Sequence, residues 1–194
     1  MLDRGYTIVA TDYVGMGTDG PDSYLAGERD LSRRWGLARS RRADDTGSMR
    51  KIPVYYYSSS SNLTGRFAEA LARIDGRRVL NLARSEVRRS EPTGPWVLLT
   101  PSYKAGNAAE VTLPAGVRAF LRSPMTRRRM VGIIGSGNRN FGEYYQAAAR
   151  DLSQRSGRPV LFEFELSGTR EDVERCAAIL ASLDEALAEV RSTG

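Results

Sequence analysis

Three short segments hold the side chains whose types and spacing suit chemistry. The first, SSSSNLT, places Ser58, Ser59, Ser60, Ser61, Asn62 and Thr64 directly after an apolar run. Hydroxyls and backbone N–H groups at the start of a helix can surround a phosphate without a charged side chain. The same residues also make an ordinary polar loop ahead of Thr64 as a helix N-cap, and this segment alone does not choose. The second, PSYKAGN (Pro101–Asn107), offers Tyr103 as a plate that can stack on a flat ring, with Gly106 allowing close backbone approach. A tyrosine at a strand end equally serves as a partly buried packing residue. The third, GSGNRNFG (Gly135–Gly142), would leave the N–H groups of Gly135, Gly137 and Gly142 open, while Asn138, Asn140 and Phe141 add amide and aromatic contacts. Gly/Asn-rich segments are commonly plain turns, but a segment of eight residues before a helix exceeds what a turn requires. The case for a site rests on the three together.

Each segment follows an apolar stretch that reads as a strand. Ile52–Tyr57 is the first, RVLNLA (78–83) a short second, and Trp96–Thr100 a third that is continuously apolar and so buried on both faces. Met130–Gly135 and PVLFEFEL (159–166) are the fourth and fifth. Helical patterns separate them: Thr64–Ile74, Leu113–Leu121 with Pro114 in its first turn, and Phe141–Ser156 closed by Gly157 and Pro159. A last helix opens with Thr169 and Asp172 spaced as a capping box. Its apolar stripe is Val173, Cys176, Ala177, Leu180, Leu183, Leu187 and Val190. Alternating strands and helices predict an α/β fold, a doubly wound parallel sheet with helices on both faces. In such a sheet ligands sit beyond the carboxyl ends of the strands, which brings the three segments to one edge.

Composition removes several kinds of chemistry. The chain has no histidine, which excludes Ser-His-Asp and Cys-His mechanisms and argues against zinc. With Cys176 as the lone cysteine, redox chemistry would need a bound cofactor to carry the electrons. The lone cysteine also rules out an internal disulfide, and neither an 18-residue apolar run nor a secretory leader is evident, so a cytoplasmic protein off the membrane is expected. Lys and Arg number 29 against 23 Asp and Glu, an excess that suits an acidic partner surface or an anionic ligand. Nucleic acid fits less well, because the arginines are scattered; the run Arg127-Arg128-Arg129 reads as a solvated helix end.

The stretches YYSSSSNLTGRF, TPSY, VGIIGSGNRNFGEYY and FEFELSGTREDV occur in an order that resembles the NrdI family, flavodoxin-like activators of class Ib ribonucleotide reductase. The resemblance covers residues 49–194. It implies a five-stranded sheet of order 2-1-3-4-5 that binds FMN. The reduced flavin of such proteins supplies an O2-derived oxidant, or electrons, for the dimanganese–tyrosyl radical site of the reductase small subunit; a separate flavin reductant is the other implied partner. By the same resemblance Ser58, Ser59, Ser60, Ser61 and Thr64 would hold the phosphate. Tyr103 and Gly106 would lie along the isoalloxazine ring, and Gly137, Asn138, Asn140 and Phe141 would meet the ring and its polar edge. The chain departs from the family in two places. Leu63 stands where an asparagine is frequent, leaving Asn62 to take over that contact or the phosphate to lose one. Lys104-Ala105 precede Gly106 where the family's loop is glycine-rich. Lys104, if turned to the flavin, would favour its anionic reduced form. Two other readings share the fold: a general flavodoxin-type electron carrier, against which the basic charge counts, and an interaction module without redox chemistry.

Residues 1–48 differ in character. RGYTIVATDYVGMGTDGPDSYLAG resembles a strand and loop of secretory lipases, yet no G-x-S-x-G elbow exists to support hydrolysis. LSRRWGLARSRRADDTGS has no sustained periodicity and reads as a disordered basic linker. An extension ahead of a domain beginning at Met49 is expected.

Overall fold

A computed structural model describes residues 51–104 and 111–192; the lipase-like segment and linker expected in residues 1–48 lie outside the described residues. The sheet strands are β1 (Val54–Tyr56), β2 (Val79–Asn81), β3 (Trp96–Pro101), β6 (Met130–Gly137) and β7 (Val160–Glu165). Their order is β2-β1-β3-β6-β7, with every neighbouring pair parallel. This is the expected 2-1-3-4-5 order. Between β3 and β6 the chain forms a small antiparallel hairpin of β4 (Tyr103–Lys104) and β5 (Val111–Thr112).

Alternation along the strands sends side chains to two cores. On one face α1 (Leu63–Asp75) and α6 (Arg170–Ser192) bring Phe67, Leu71, Cys176 and Leu180 against Val54, Val97, Leu99 and Ile134. There the rings of Phe67 and Phe164 stack with centroids 3.7 Å apart. The other face is covered by α2 (Ser85–Arg89), α3 (Ala115–Phe120) and α5 (Ala147–Ser156), which bury Tyr55, Trp96, Leu98 and Ile133. Below them α4 (Pro124–Arg129) receives the indole N–H of Trp96 on the Thr126 carbonyl at 2.9 Å.

The edge opposite the three segments is closed by charge. The fully buried Arg77 guanidinium donates to Asp184 (2.9 Å), Asp75 (2.8 Å) and the Ile52 carbonyl (2.7 Å). Asp184 in turn accepts the Ile52 N–H at 2.8 Å. These bonds explain why β1 starts at Val54 rather than Ile52: both backbone groups of Ile52 are committed to the buried ion pair. The second strand ends early at Asn81, whose side chain accepts the Ala83 N–H at 2.8 Å and turns the chain.

Several helix boundaries differ from expectation. The continuous helix expected over 141–156 is a 3-10 helix, Arg139–Tyr144, followed by α5. Gly142 (φ 55°) and Gln146 (φ 60°) both adopt left-handed backbone and break it. Pro114 is the residue before α3, not part of its first turn. Thr64 is not an N-cap; α1 begins at Leu63 behind Asn62, itself left-handed at φ 53°. The Thr169–Asp172 capping box forms as expected, with bonds of 2.9 and 3.2 Å. Arg127 and Arg128 are exposed in the last turn of α4 as expected, whereas Arg129 of the same run is half-buried and donates to the Pro92 carbonyl.

Candidate functional site

β1, β3 and β6 lie side by side in parallel, so the segments that follow them emerge at one edge. Ser136 joins them. Its hydroxyl is 2.9 Å from that of Thr64, and its carbonyl accepts the Ser102 N–H at 3.0 Å. The Ser102 hydroxyl accepts the Ala148 N–H of α5 at 3.2 Å. Ser102, Ser136 and Thr64 are all buried.

The serine segment divides into scaffold and rim. Ser58 is buried, and its hydroxyl accepts the Gly65 N–H at 3.1 Å, supplying the cap that Asn62 does not. Thr64 is turned to Ser136. Ser59 is half-buried, whereas Ser60, Ser61 and Asn62 are exposed, and the hydroxyls of Ser59 and Ser61 lie 2.9 Å apart. The Asn62 side chain folds over the head of α1: a Cβ on Gly65 would sit 1.9 Å from its Oδ1. No acidic residue occupies the first turn of α1, so the positive end of the helix dipole is unopposed. Rim hydroxyls, a side-chain amide and a helix N-terminus are a donor set that fits a phosphate monoester.

In the second segment Tyr103 and Lys104 form β4, paired with Thr112 and Val111. Gly106, with Ala105 and Asn107, lies outside the described residues.

The third segment corrects the role expected of two glycines. Gly135 sits inside β6, paired with Thr100 and Glu163, and is not an open N–H donor. A Cβ there would meet Gln146 Oε1 at 2.4 Å and the Ala149 Cβ at 3.0 Å, so the packing of α5 on β6 favours glycine. Gly137 is buried as the last residue of β6, and a Cβ on it would meet the Tyr145 ring at 3.1 Å. Beyond it Asn138 Oδ1 accepts the Asn140 N–H at 2.9 Å, and the Asn138 carbonyl accepts the Phe141 N–H at 3.0 Å. Asn138 is half-buried; Asn140 and Phe141 are exposed. This tight turn presents an amide and an apolar ring outward at the edge of the sheet.

Sequence reasoning missed Ser102, Ser136 and Glu165, the last of which accepts the Arg139 N–H at 3.2 Å. The available signal was a hydroxyl or carboxylate at or beside the carboxyl end of a strand. It also left Gln146 unremarked. This fully buried side chain donates to the Phe164 carbonyl at 2.7 Å, while its Oε1 has no partner among the described residues. Cys176 is no rival redox centre: burial pushes its thiol up to about 12, so it stays protonated at neutral pH. No helix among the described residues is long and apolar enough to cross a membrane.

Residues 54–178 match the model of the family described as NrdI Flavodoxin like. Protein NrdI of Escherichia coli O139:H28 (strain E24377A / ETEC) is 40% identical over 121 residues, covering 62% of this chain and 85% of that protein. Protein NrdI of Photorhabdus laumondii subsp. laumondii is 40% identical over 123 residues, covering 63% and 85%. Among solved structures the chain is similar to oxidised flavodoxin 2 from Bacillus cereus (TM-score 0.46, 17% identity, 68% of this chain and 98% of that chain). On the match over residues 54–178 and the identity to these relatives, the chain belongs to the NrdI flavodoxin-like family.

Proposed function

We propose that the chain binds FMN at this edge and acts as a redox accessory of class Ib ribonucleotide reductase. In this role it delivers an O2-derived oxidant or electrons for assembly of the dimanganese–tyrosyl radical cofactor of the small subunit. The observation that carries the reading is the junction at Ser136, which ties the serine rim, the β3 segment and the SGNRNFG turn into one edge. Family membership supports it.

Ser59, Ser60, Ser61 and the N-terminus of α1 would receive the phosphate, with Asn62 on its flank and Ser58 and Thr64 holding the loop from beneath. Tyr103 and Lys104 would border the ring from the hairpin, and Gly106 would lie along it. Gly137, Asn138, Asn140 and Phe141 would meet its polar edge, where Asn140 and Phe141 face outward. Bound FMN would supply the electron chemistry that a chain with one buried cysteine and no histidine cannot perform. The positive net charge of +6 suits an acidic partner surface, either the small subunit or the flavin reductant.

FMN titration of the purified protein, read by quenching of flavin fluorescence, tests the binding. Stoichiometric quenching is expected. The role is tested by adding the reduced holoprotein, Mn(II) and O2 to the metal-free small subunit and measuring tyrosyl radical by electron paramagnetic resonance. Quenching without radical formation would favour a general flavodoxin-type carrier. Absence of quenching would leave an interaction module on the same fold.

A further inference from the structure

The turn that presents Asn138, Asn140 and Phe141 is held from the side by Glu165, Arg139 and Tyr145, none of them among the expected flavin contacts. Glu165, the last residue of β7, is the ladder partner of Gly137. Its Oε1 accepts the backbone N–H of Arg139 at 3.2 Å, and its Oε2 lies 3.4 Å from Arg139 Nε. The Arg139 guanidinium sits over the Tyr145 ring, 5.9 Å from its centroid, and the Tyr145 ring packs on Gly137. The next residue continues the clamp, with the Leu166 N–H donated to the Gly137 carbonyl at 2.8 Å. Gly137, Arg139, Tyr145 and Glu165 therefore close a ring of contacts around the turn.

Such an exposed ion pair does little for global stability; side-chain exposure is 75% at Arg139 and 39% at Glu165. Its geometry suits a local task. One carboxylate grips both the backbone and the side chain of Arg139, so it fixes where the turn starts as well as where the guanidinium lies. Its charge also matters at this edge, since neutralising Glu165 leaves the Arg139 cation unbalanced beside whatever the turn contacts.

We propose that Glu165 is a positioning residue for the flavin, which sets the Asn138–Phe141 turn through Arg139 and balances the Arg139 charge at the ring's polar edge. The proposal rests on the FMN reading above. It makes affinity and redox preference respond together to a residue outside the expected flavin contacts.

The test is FMN titration of wild type, E165A and E165Q with oxidised flavin, together with the midpoint potential of each holoprotein. Apo-protein thermal melts establish that each variant folds. E165A should weaken oxidised FMN binding about tenfold, and E165Q by less, because its remaining carbonyl oxygen still accepts the Arg139 N–H. In both variants the ratio of oxidised to reduced dissociation constants should rise at least about threefold, since the unbalanced Arg139 cation favours anionic reduced flavin. A merely structural role would weaken both redox states equally and leave the potential unmoved, which overturns the charge-balancing part. E165A affinity within about twofold of wild type overturns the positioning part. Should E165A not fold, R139Q tests the side-chain half of the fork: the backbone N–H of residue 139 stays on Glu165, so FMN affinity should fall by less than the E165A expectation, and affinity equal to wild type overturns positioning through Arg139. If wild type itself takes no FMN, the functional reading falls and this proposal with it; wild-type binding with unchanged variants sinks the proposal alone.

Discussion

The hydroxyl pair Thr64–Ser136 allows a sharp test of how the site is assembled. Both groups are buried, their oxygens are 2.9 Å apart, and 72 residues separate them in the chain. Ser136→Ala deletes one net hydrogen bond, worth about 1 kcal/mol, and leaves the Thr64 hydroxyl buried without its partner, at a cost of about 1–3 kcal/mol when nothing replaces it. Thr64 is the second residue of α1, with no helical carbonyl one turn back to accept its hydroxyl, so about 1–3 kcal/mol is expected. Thr64→Val should cost a similar amount for the mirror reason. The double variant removes both polar groups, so it should cost less than the sum, leaving a coupling of about 1 kcal/mol. Urea denaturation of the four apo-proteins measures this cycle.

The same four proteins address the flavin. Because the Thr64 hydroxyl is turned to Ser136, the two single variants should weaken FMN binding by similar factors, each through a loosened serine rim. If Thr64 instead reaches the phosphate, Thr64→Val would lose far more affinity than Ser136→Ala. That outcome, or a coupling below about 0.3 kcal/mol, would refute the reasoning.

Three further outcomes are expected. Gly65→Ala must displace Asn62, whose Oδ1 would lie 1.9 Å from the new Cβ, so FMN affinity should fall about tenfold by titration. Apo stability should hold or rise, since alanine is favoured over glycine within a helix by about 1 kcal/mol. Arg77→Met strands the buried Asp184 carboxylate and should cost about 3–5 kcal/mol in urea denaturation; a loss below about 1.5 kcal/mol would mean the pair is not buried as described. Stability should also fall as pH rises from 9 toward 12. Burial pushes the Cys176 thiol up from 9.0 to about 12, so the unfolded chain releases a proton that the native state retains. The slope from this group is at most about 1.4 kcal/mol per pH unit, and Cys176→Ala should remove it. Above pH 10.0 Tyr55 and Tyr56, also raised by burial, add a loss of the same sign.

Much of the sheet was legible because its central strands are buried on both faces. Trp96–Thr100 and Met130–Gly135 are unbroken apolar runs, and the helices between them carry apolar stripes at helical spacing. Strand order came from the family resemblance, and the structure bears it out. The positions of the serine and SGNRNFG segments were equally legible, since each must leave the carboxyl end of a strand. By contrast β4 and β5 have two residues each, too few for any periodicity, and α2 buries none of its own residues. The break at Gly142 and Gln146 escaped because a glutamine gives no warning of left-handed backbone.

What the sequence hid at the site is of another kind. Composition identified groups able to bind a ligand, but it could not say which of them the protein uses on itself. Ser58 caps α1, Thr64 and Ser136 hold each other, and Gly135 and Gly137 make room for Gln146 and Tyr145. Each of these pairings joins residues from different elements or loop ends, so no local pattern reports it. Their effect is to leave Ser60, Ser61, Asn62, Asn140 and Phe141 exposed on a braced frame. A site assembled this way separates positioning from contact. Substitutions beneath the frame should therefore act on stability and affinity together, while substitutions on the rim should act on affinity alone. Ser61→Ala, at an exposed residue whose hydroxyl bonds that of Ser59, is the clearest rim case: its apo melt should match wild type while its FMN affinity falls.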